Sequence, residues 1–337
     1  MINEPKNISE LKRFSEKIGN NLDWIQGAGG NTSLKEKGIL WIKASGCWLS
    51  SSVTGNIFIP VKHSEVLDSI RKANLSHIKS LTPGELRPSI ETSLHALMPH
   101  KFVFHTHSVN LISIAVLKEG RNYLNEIFSD LNWEWVPYAK PGIDLAKEVK
   151  KIIHKHLDIV VLANHGLVIG AETAHDAFEL LVNIEERIVR NLRSVAKIKN
   201  EDPLLLLDES RYRICNYDIA NDLAFDDLAL NIIKVGTLYP DHVVFLGAGQ
   251  MQIVSIEELK QYITNPDYIN NNPVVIVRDY GVIVHKNISK NAEVMLYCLG
   301  SILLRVNFDE KISYLSQADE MELIGWDAEK YRKSLEK

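Results

Sequence analysis

Two segments of the chain, 158–188 and 273–303, follow one pattern without a gap. Each reads as an apolar strand, an Asn/Asp-X-Gly turn, a second apolar strand and a helix, with Ala177 matching Ala292. In the first, Ala174, Ala177, Phe178, Leu181, Ile188 and Leu192 fall on one stripe of a helix over 174–192, which suits a helix covering a sheet. The stretches before them are also alike, VPYAKPG at 136–142 and VFLGAG at 244–249, each followed by a predicted helix. The rear of the chain therefore reads as a partial copy of the second half of its front. In the copy Tyr280 stands where the front has His165, and no His-X-His precedes it. Residues 235–310 are expected to form a metal-free unit shaped like the rear half of the first. Its helix, beginning near Ala292, should bury Ala292, Met295, Leu296, Leu299 and Leu303.

The front half adds its own signals. Ser9 reads as the cap of a helix carrying Leu11, Phe14 and Ile18, with Ile8 as a staple. Gly27, Gly29 and Gly30 break the chain before Asn31-Thr32-Ser33, and a strand over 39–42 ends in the loop Ala44-Ser45-Gly46. Residues 101–107 read as a buried strand that emerges at its histidines, and 158–163 as another that runs into Asn164-His165-Gly166. From Lys199 to Arg213 the pattern lapses around Pro203, so the chain divides into units over 1–205 and 206–337.

Composition excludes several classes. Among 337 residues, 45% are hydrophobic and 24% charged, the balance of a globular protein large enough to bury a core. The net charge of −5 and the lack of a long basic block argue against nucleic acid, whose phosphates need clustered cations. Cys47, Cys215 and Cys298 are widely spaced and odd in number, which suits small buried side chains in a reducing compartment. The opening residues carry no secretory signal, and the apolar stretch from Leu111 to Leu117 is too short to span a bilayer. A cytoplasmic protein with no membrane partner is expected.

His105 and His107 flank Thr106, so on a strand both imidazoles point to one face. Two imidazoles supply two-thirds of a catalytic zinc site, which keeps three protein ligands and an open position. His165 follows a strand in a turn that Gly166 lets bend sharply. Glu91, upstream of the histidine strand, suits a fourth ligand or a general base. Taken alone it is better read as a solvated charge at a helix start. Ser89 alone reads as a cap. Asn31, Thr32, Ser45 and Gly46 lie in glycine-bearing loops suited to an anion, and each alone reads as an ordinary turn residue.

Taken together, GGNTS at 29–33, KASG at 43–46, PSIE at 88–91, HTH at 105–107 and NHG at 164–166 resemble the ordered motifs of the class II aldolase/adducin family. The resemblance covers roughly residues 8–195 and implies a three-layer α/β/α sandwich around a mainly antiparallel sheet. A C-terminal partial repeat of the same fold follows it. The resemblance assigns His105, His107 and His165 to Zn²⁺ or another divalent metal. Glu91 becomes the proton-shuttling residue, which also coordinates the metal when no substrate is bound. Asn31, Thr32, Ser45, Gly46 and Ser89 hold the substrate phosphate. Ile90 departs from the pattern, because sugar-phosphate aldolases often carry a hydroxyl there, leaving Lys43 or Arg87 to compensate.

The implied activity is cleavage or formation of a ketose 1-phosphate, or a related sugar, through a metal-stabilised enediolate. The implied assembly is a homo-oligomer, tetramer or dimer, in which a neighbouring subunit's tyrosine handles the aldehyde oxygen. Tyr123 and Tyr138 are candidates. The KASG loop and C-terminal extension are similar to a longer branch that includes the aldolase half of rhamnulose-phosphate aldolase/dehydrogenase fusions. The only glycine-rich candidate downstream, GAG at 247–249, lacks the full dinucleotide fingerprint. Rival readings are an epimerase, dehydratase or decarboxylase on the same scaffold, and a non-catalytic adducin-like binding module. Related epimerases usually carry Asp at the place of Glu91, and the binding modules lose the histidines.

Overall fold

A computed structural model describes residues 3–75, 78–84, 86–196, 207, 210–264 and 273–325. The chain forms two compact units. The first holds Glu119–Val189 with the chain up to Ala115, and the second holds Arg190–Ile324 with Val116–Lys118. The division expected at 205/206 lies outside the described residues.

The first unit is a seven-stranded sheet in the order β3-β2-β1-β4-β7-β6-β5. Its strands are β1 (Asn31–Glu36), β2 (Ile39–Lys43), β3 (Phe58–Lys62), β4 (Phe102–Thr106), β5 (Trp133–Val136), β6 (Ile159–Leu162) and β7 (Gly166–Ala171). Every pairing is antiparallel except β5 with β6. The helices are α1 (Ile8–Gly19), α2 (His63–Arg71), α3 (Thr92–Leu97), α4 (Val109–Ala115), α5 (Gly120–Ile127), α6 (Ile143–Ile152) and α7 (Ala174–Arg187).

Strand alternation sorts these into three layers. Phe102 and Phe104 of β4, with Leu167 and Ile169 of β7, pack against Leu11, Phe14 and Ile18 of α1 and Ala177 and Leu181 of α7. The intervening Val103 and Val168 face the opposite way, toward Leu94 of α3 and Leu145 and Val149 of α6. Leu40, Ile42, Ile59 and Val61 continue that second face under Val66 and Ile70 of α2. His105 shares the parity of Val103, so the histidines face the α2–α3–α6 layer.

Several boundaries differ from the sequence expectation. α1 begins at Ile8 after Asn7, whose amide donates to Glu36 instead of capping; Ser9 lies inside the helix. Asn31 and Thr32 are the first residues of strand β1, not loop residues, since their backbones pair with His105 and Phe104. α7 stops at Arg187, and Leu192 is exposed beyond it. The end of the expected connector, Tyr212 and Arg213, is strand.

The second unit carries a four-stranded sheet, β8 (Tyr212–Ile214), β11 (Gly281–His285), β10 (Val274–Val277) and β9 (Ile253–Val254), in that order. Its helices are α8 (Asp218–Asn221), α9 (Asp227–Ile233), α10 (Pro240–Leu246), α11 (Ile256–Thr264), α12 (Lys290–Leu303) and α13 (Gln317–Leu323). This order repeats β4-β7-β6-β5, including the one parallel pair at the edge. The copy thus begins at Tyr212, earlier than residue 235. VFLGAG is the end of α10 and its loop, and the counterpart of β5 is Ile253–Val254. Ala292, Met295, Leu296, Leu299 and Leu303 are all buried. Among the described residues no helix is long and apolar enough to cross a membrane.

Candidate metal centre

Three chain segments converge on one point. β4 presents His105, and His107 follows one step beyond its end, held by its backbone N–H to Trp24 O at 2.9 Å. The β6–β7 turn presents His165; Asn164 before it takes a left-handed φ of 54°, and its N–H donates to Ala115 O at 3.0 Å. Glycine is required at 166, because a Cβ there would lie 2.4 Å from Thr106 O and 3.2 Å from His105 Cε1. That close approach lets β7 carry its turn against β4 and bring the third ring to the first two. Centroid separations of 4.9, 5.0 and 5.1 Å describe a nearly equilateral triangle of imidazoles.

Glu91 arrives from the helical layer at the N-cap position of α3. Its carboxylate lies 3.3 Å from His105 Nε2 through Oε2 and 3.3 Å from His165 Nε2 through Oε1. His105 Nε2 and His107 Nε2 are 3.1 Å apart. One donor atom from each of the four residues lies within 4.8 Å of all the others, and all four residues are buried. The solvated helix-start charge is therefore not what Glu91 is. Burial opposes its charge, but positive charge on the rings of His105 and His165, with that on His107, outweighs burial when the cluster holds protons in place of a cation, and takes the carboxyl well below the usual range.

These donors fit a divalent cation. The ring of His105 donates from Nδ1 to Leu167 O at 2.9 Å, which leaves the Nε2 lone pair facing the cluster. Metal–ligand bonds of about 2.0–2.1 Å to His and carboxylate imply tetrahedral edges of about 3.3 Å. The separations of 3.1–3.3 Å given above are of that size. Three imidazoles and one carboxylate are also donors that suit zinc and related metals.

A family model for the class II aldolase and adducin N-terminal domain matches residues 10–189. The chain belongs to the class II aldolase/adducin family. Over 201 residues it is 33% identical to the uncharacterized oxidoreductase YuxG of Bacillus subtilis (strain 168), covering 53% of this chain and 29% of that protein. The chain thus spans less than a third of that relative's length. Over 178 residues it is 25% identical to the L-fuculose phosphate aldolase of Methanocaldococcus jannaschii, covering 49% of this chain and 84% of that one. A solved N-terminal class II aldolase domain from Thermoplasma acidophilum is 30% identical at a TM-score of 0.47, covering 56% of this chain and 94% of that one.

The family's loop motifs are stitched together beside the cluster. The KASG and PSIE segments form a short antiparallel bridge, Ala44 to Pro88. Ser45 N–H donates to Arg87 O at 2.9 Å, and Ser89 N–H to Lys43 O at 3.2 Å. Gly46 turns the first segment at φ 79°. Ser45 is thereby set opposite Arg87, and Ser89 opposite Lys43, one step to either side of the bridge. Lys43, 1% exposed, donates to Ala28 O at 2.9 Å and Cys47 O at 2.6 Å, tying the glycine loop to the KASG loop. Its ammonium is a staple between loops, a role its place at a strand end did not reveal.

Strand parity separates the two loop candidates that precede them. Asn31 sits opposite His105 and faces the cluster, its amide donating to Glu91 Oε2 at 2.8 Å and Ser89 Oγ at 3.2 Å. Thr32 points to the other face. Ser15 Oγ donates to Leu11 O, so the Thr32 hydroxyl, 2.6 Å away, donates to Ser15. The structure therefore sets Asn31 and Ser89 beside Glu91, holds Ser45 and Gly46 on the loop bridged to the Ser89 segment, and directs the Thr32 side chain into the α1 layer.

Proposed function

We propose that this chain is a zinc-dependent aldehyde-lyase that cleaves or forms a ketose 1-phosphate or a related phosphorylated sugar. The convergence of Glu91, His105, His107 and His165 is the observation that supports it most. His105, His107 and His165 would hold the cation, with Glu91 as a fourth ligand when no substrate is bound. When bound, the cation supplies Lewis-acid polarisation of the substrate carbonyl and stabilises the enediolate left by carbon–carbon cleavage.

The chain's own groups account for the rest. Glu91 moves the proton onto or off the enediolate carbon. His105 is held in place by its bond to Leu167 O, with Nε2 toward the cluster. Ser45, Gly46 and Ser89 line the loops that would receive the phosphate, and Lys43 keeps those loops in register. Ile90 supplies no hydroxyl, so Ser89 carries the anion contact on that segment.

The test is a panel of ketose 1-phosphates offered to zinc-loaded protein, with aldehyde release as the readout. The proposal expects turnover of at least one member, its loss on chelation and its return with Zn²⁺. Turnover that persists unchanged after complete chelation would contradict it.

A further inference from the structure

His95 lies on α3, one turn after Glu91, and is fully buried. Both its ring nitrogens meet β1: Nδ1 lies 2.7 Å from Ser33 Oγ, and Nε2 bonds Asn31 Oδ1. Asn31 and Ser33 are two apart on the strand, so they share the face that His95 covers. A carbonyl oxygen only accepts, which puts the ring proton on Nε2 and makes Nδ1 the acceptor of the Ser33 hydroxyl. Burial also disfavours the charged imidazole. Turning the Asn31 amide over would set its oxygen against the Glu91 carboxylate, two acceptors in a buried site. The hydrogen bonds therefore run one way, Ser33 to His95 to Asn31, and then to Glu91 and Ser89.

The chain ends on Ser89. Its Oγ accepts from Asn31 Nδ2 at 3.2 Å and from the Glu91 N–H at 3.2 Å. With both lone pairs engaged, the Ser89 proton is left to donate. Asn31, by contrast, has spent both amide protons and its oxygen inside the protein.

We propose that His95 is a positioning residue: by fixing the Asn31 amide it makes Ser89 an obligate hydrogen-bond donor, committing this side of the pocket to an acceptor-rich anion such as phosphate. This deepens, and rests on, the reading of the pocket as a phosphorylated-substrate site. It explains how the site spares a second hydroxyl at Ile90: the remaining serine is held in one polarity.

The test combines imidazole ¹⁵N spectra of histidine-labelled protein with calorimetric binding of inorganic phosphate to zinc-loaded wild type, His95→Gln, His95→Phe and Ser89→Ala. The His95 signals, assigned by their loss in His95→Gln, should show the Nε2–H tautomer. Losing one oriented hydrogen bond should weaken phosphate about tenfold in His95→Phe, whereas His95→Gln, which still donates to Asn31, should stay within about threefold. An Nδ1–H tautomer overturns the proposal. So does His95→Phe binding phosphate like wild type while Ser89→Ala loses it, an outcome that leaves the pocket reading intact. Wild type that takes up no phosphate overturns the pocket reading itself, and the proposal with it. The tautomer needs only wild type and the Gln variant, so it decides even where the Phe variant does not fold.

Discussion

The hairpin and helix over 159–187 and those over 274–303 share one frame and differ in what they carry. In the first, Ile159 pairs with Ile169 and Leu162 with Gly166; in the second, Val274 pairs with Val284 and Val277 with Gly281. The residue two before each turn glycine is left-handed, Asn164 at 54° and Asp279 at 59°. Each helix starts with a hydroxyl accepting a backbone N–H, Thr173 in α7 and Ser289 in α12. The neighbouring strand completes the match. His105 lies opposite Val168, and Ile214 lies opposite Ile283, so Ile214 takes the place of His105, Asn216 that of His107 and Tyr280 that of His165. Apolar strands and a left-handed turn are thus enough to hold the frame. The donor cluster requires three imidazoles on it, plus Glu91 from α3, which lies in the front part that the copy does not repeat.

The largest expected effect separates a ligand frame from chemistry on it. Glu91→Gln should keep the metal but lower turnover by roughly 10²–10⁴-fold, because an amide cannot accept the proton. Near-normal turnover in that variant would move Glu91 to a purely structural role.

Alanine at the two turn glycines should sharpen the contrast. At 166 the new Cβ meets backbone, Thr106 O at 2.4 Å; at 281 it meets the end of a flexible side chain, Ile214 Cδ1 at 2.8 Å. Gly166→Ala should therefore cost about 1–3 kcal/mol or more and reduce metal retention. Gly281→Ala is strained as well, because that residue sits at φ 158°, but it should leave the metal alone. Metal retained equally by the two variants would break the comparison.

Acid should test the second unit through His242, a buried imidazole on α10 whose pKa burial pushes down to about 3. Between the ordinary value and that one, the unfolded chain holds a proton that the folded chain does not. This contribution to stability is therefore complete above about pH 6.5 and falls as pH drops toward 3, by at most about 1.4 kcal/mol per pH unit. Thermal midpoints of His242→Gln and wild type should diverge in the variant's favour on acidification, and parallel curves would contradict the shift.

The smallest effect should be the same in both copies. Thr173→Ala and Ser289→Ala each remove one cap bond and should each cost about 1 kcal/mol. A large disparity in their unfolding midpoints would show that the two helices are not equivalently held.

The frame was legible because its signals are local: an apolar run, an Asn/Asp-X-Gly turn and a helical stripe. What was not legible depends on tertiary choices. Asn7, not Ser9, precedes α1, since a side chain able to cap can bond elsewhere, as Asn7 does with Glu36. The stripe through Leu192 continued past the point where the helix ends. Asn31 and Thr32 looked like neighbours in one anion loop, yet strand pairing sends them to opposite faces. VFLGAG mimicked a strand because a short buried helix and a buried strand share composition. The one signal for His95 in the sequence is its spacing, one helical turn from Glu91.

The most direct test of the account is metal content per chain in three purified proteins: wild type, His165→Ala and Tyr280→Ala. Elemental analysis should find one zinc or equivalent divalent ion per wild-type chain, the same in Tyr280→Ala, and a large loss in His165→Ala. A His165→Ala protein as fully loaded as wild type, or a Tyr280→Ala protein that loses its ion, would contradict the assignment of the metal to the front copy.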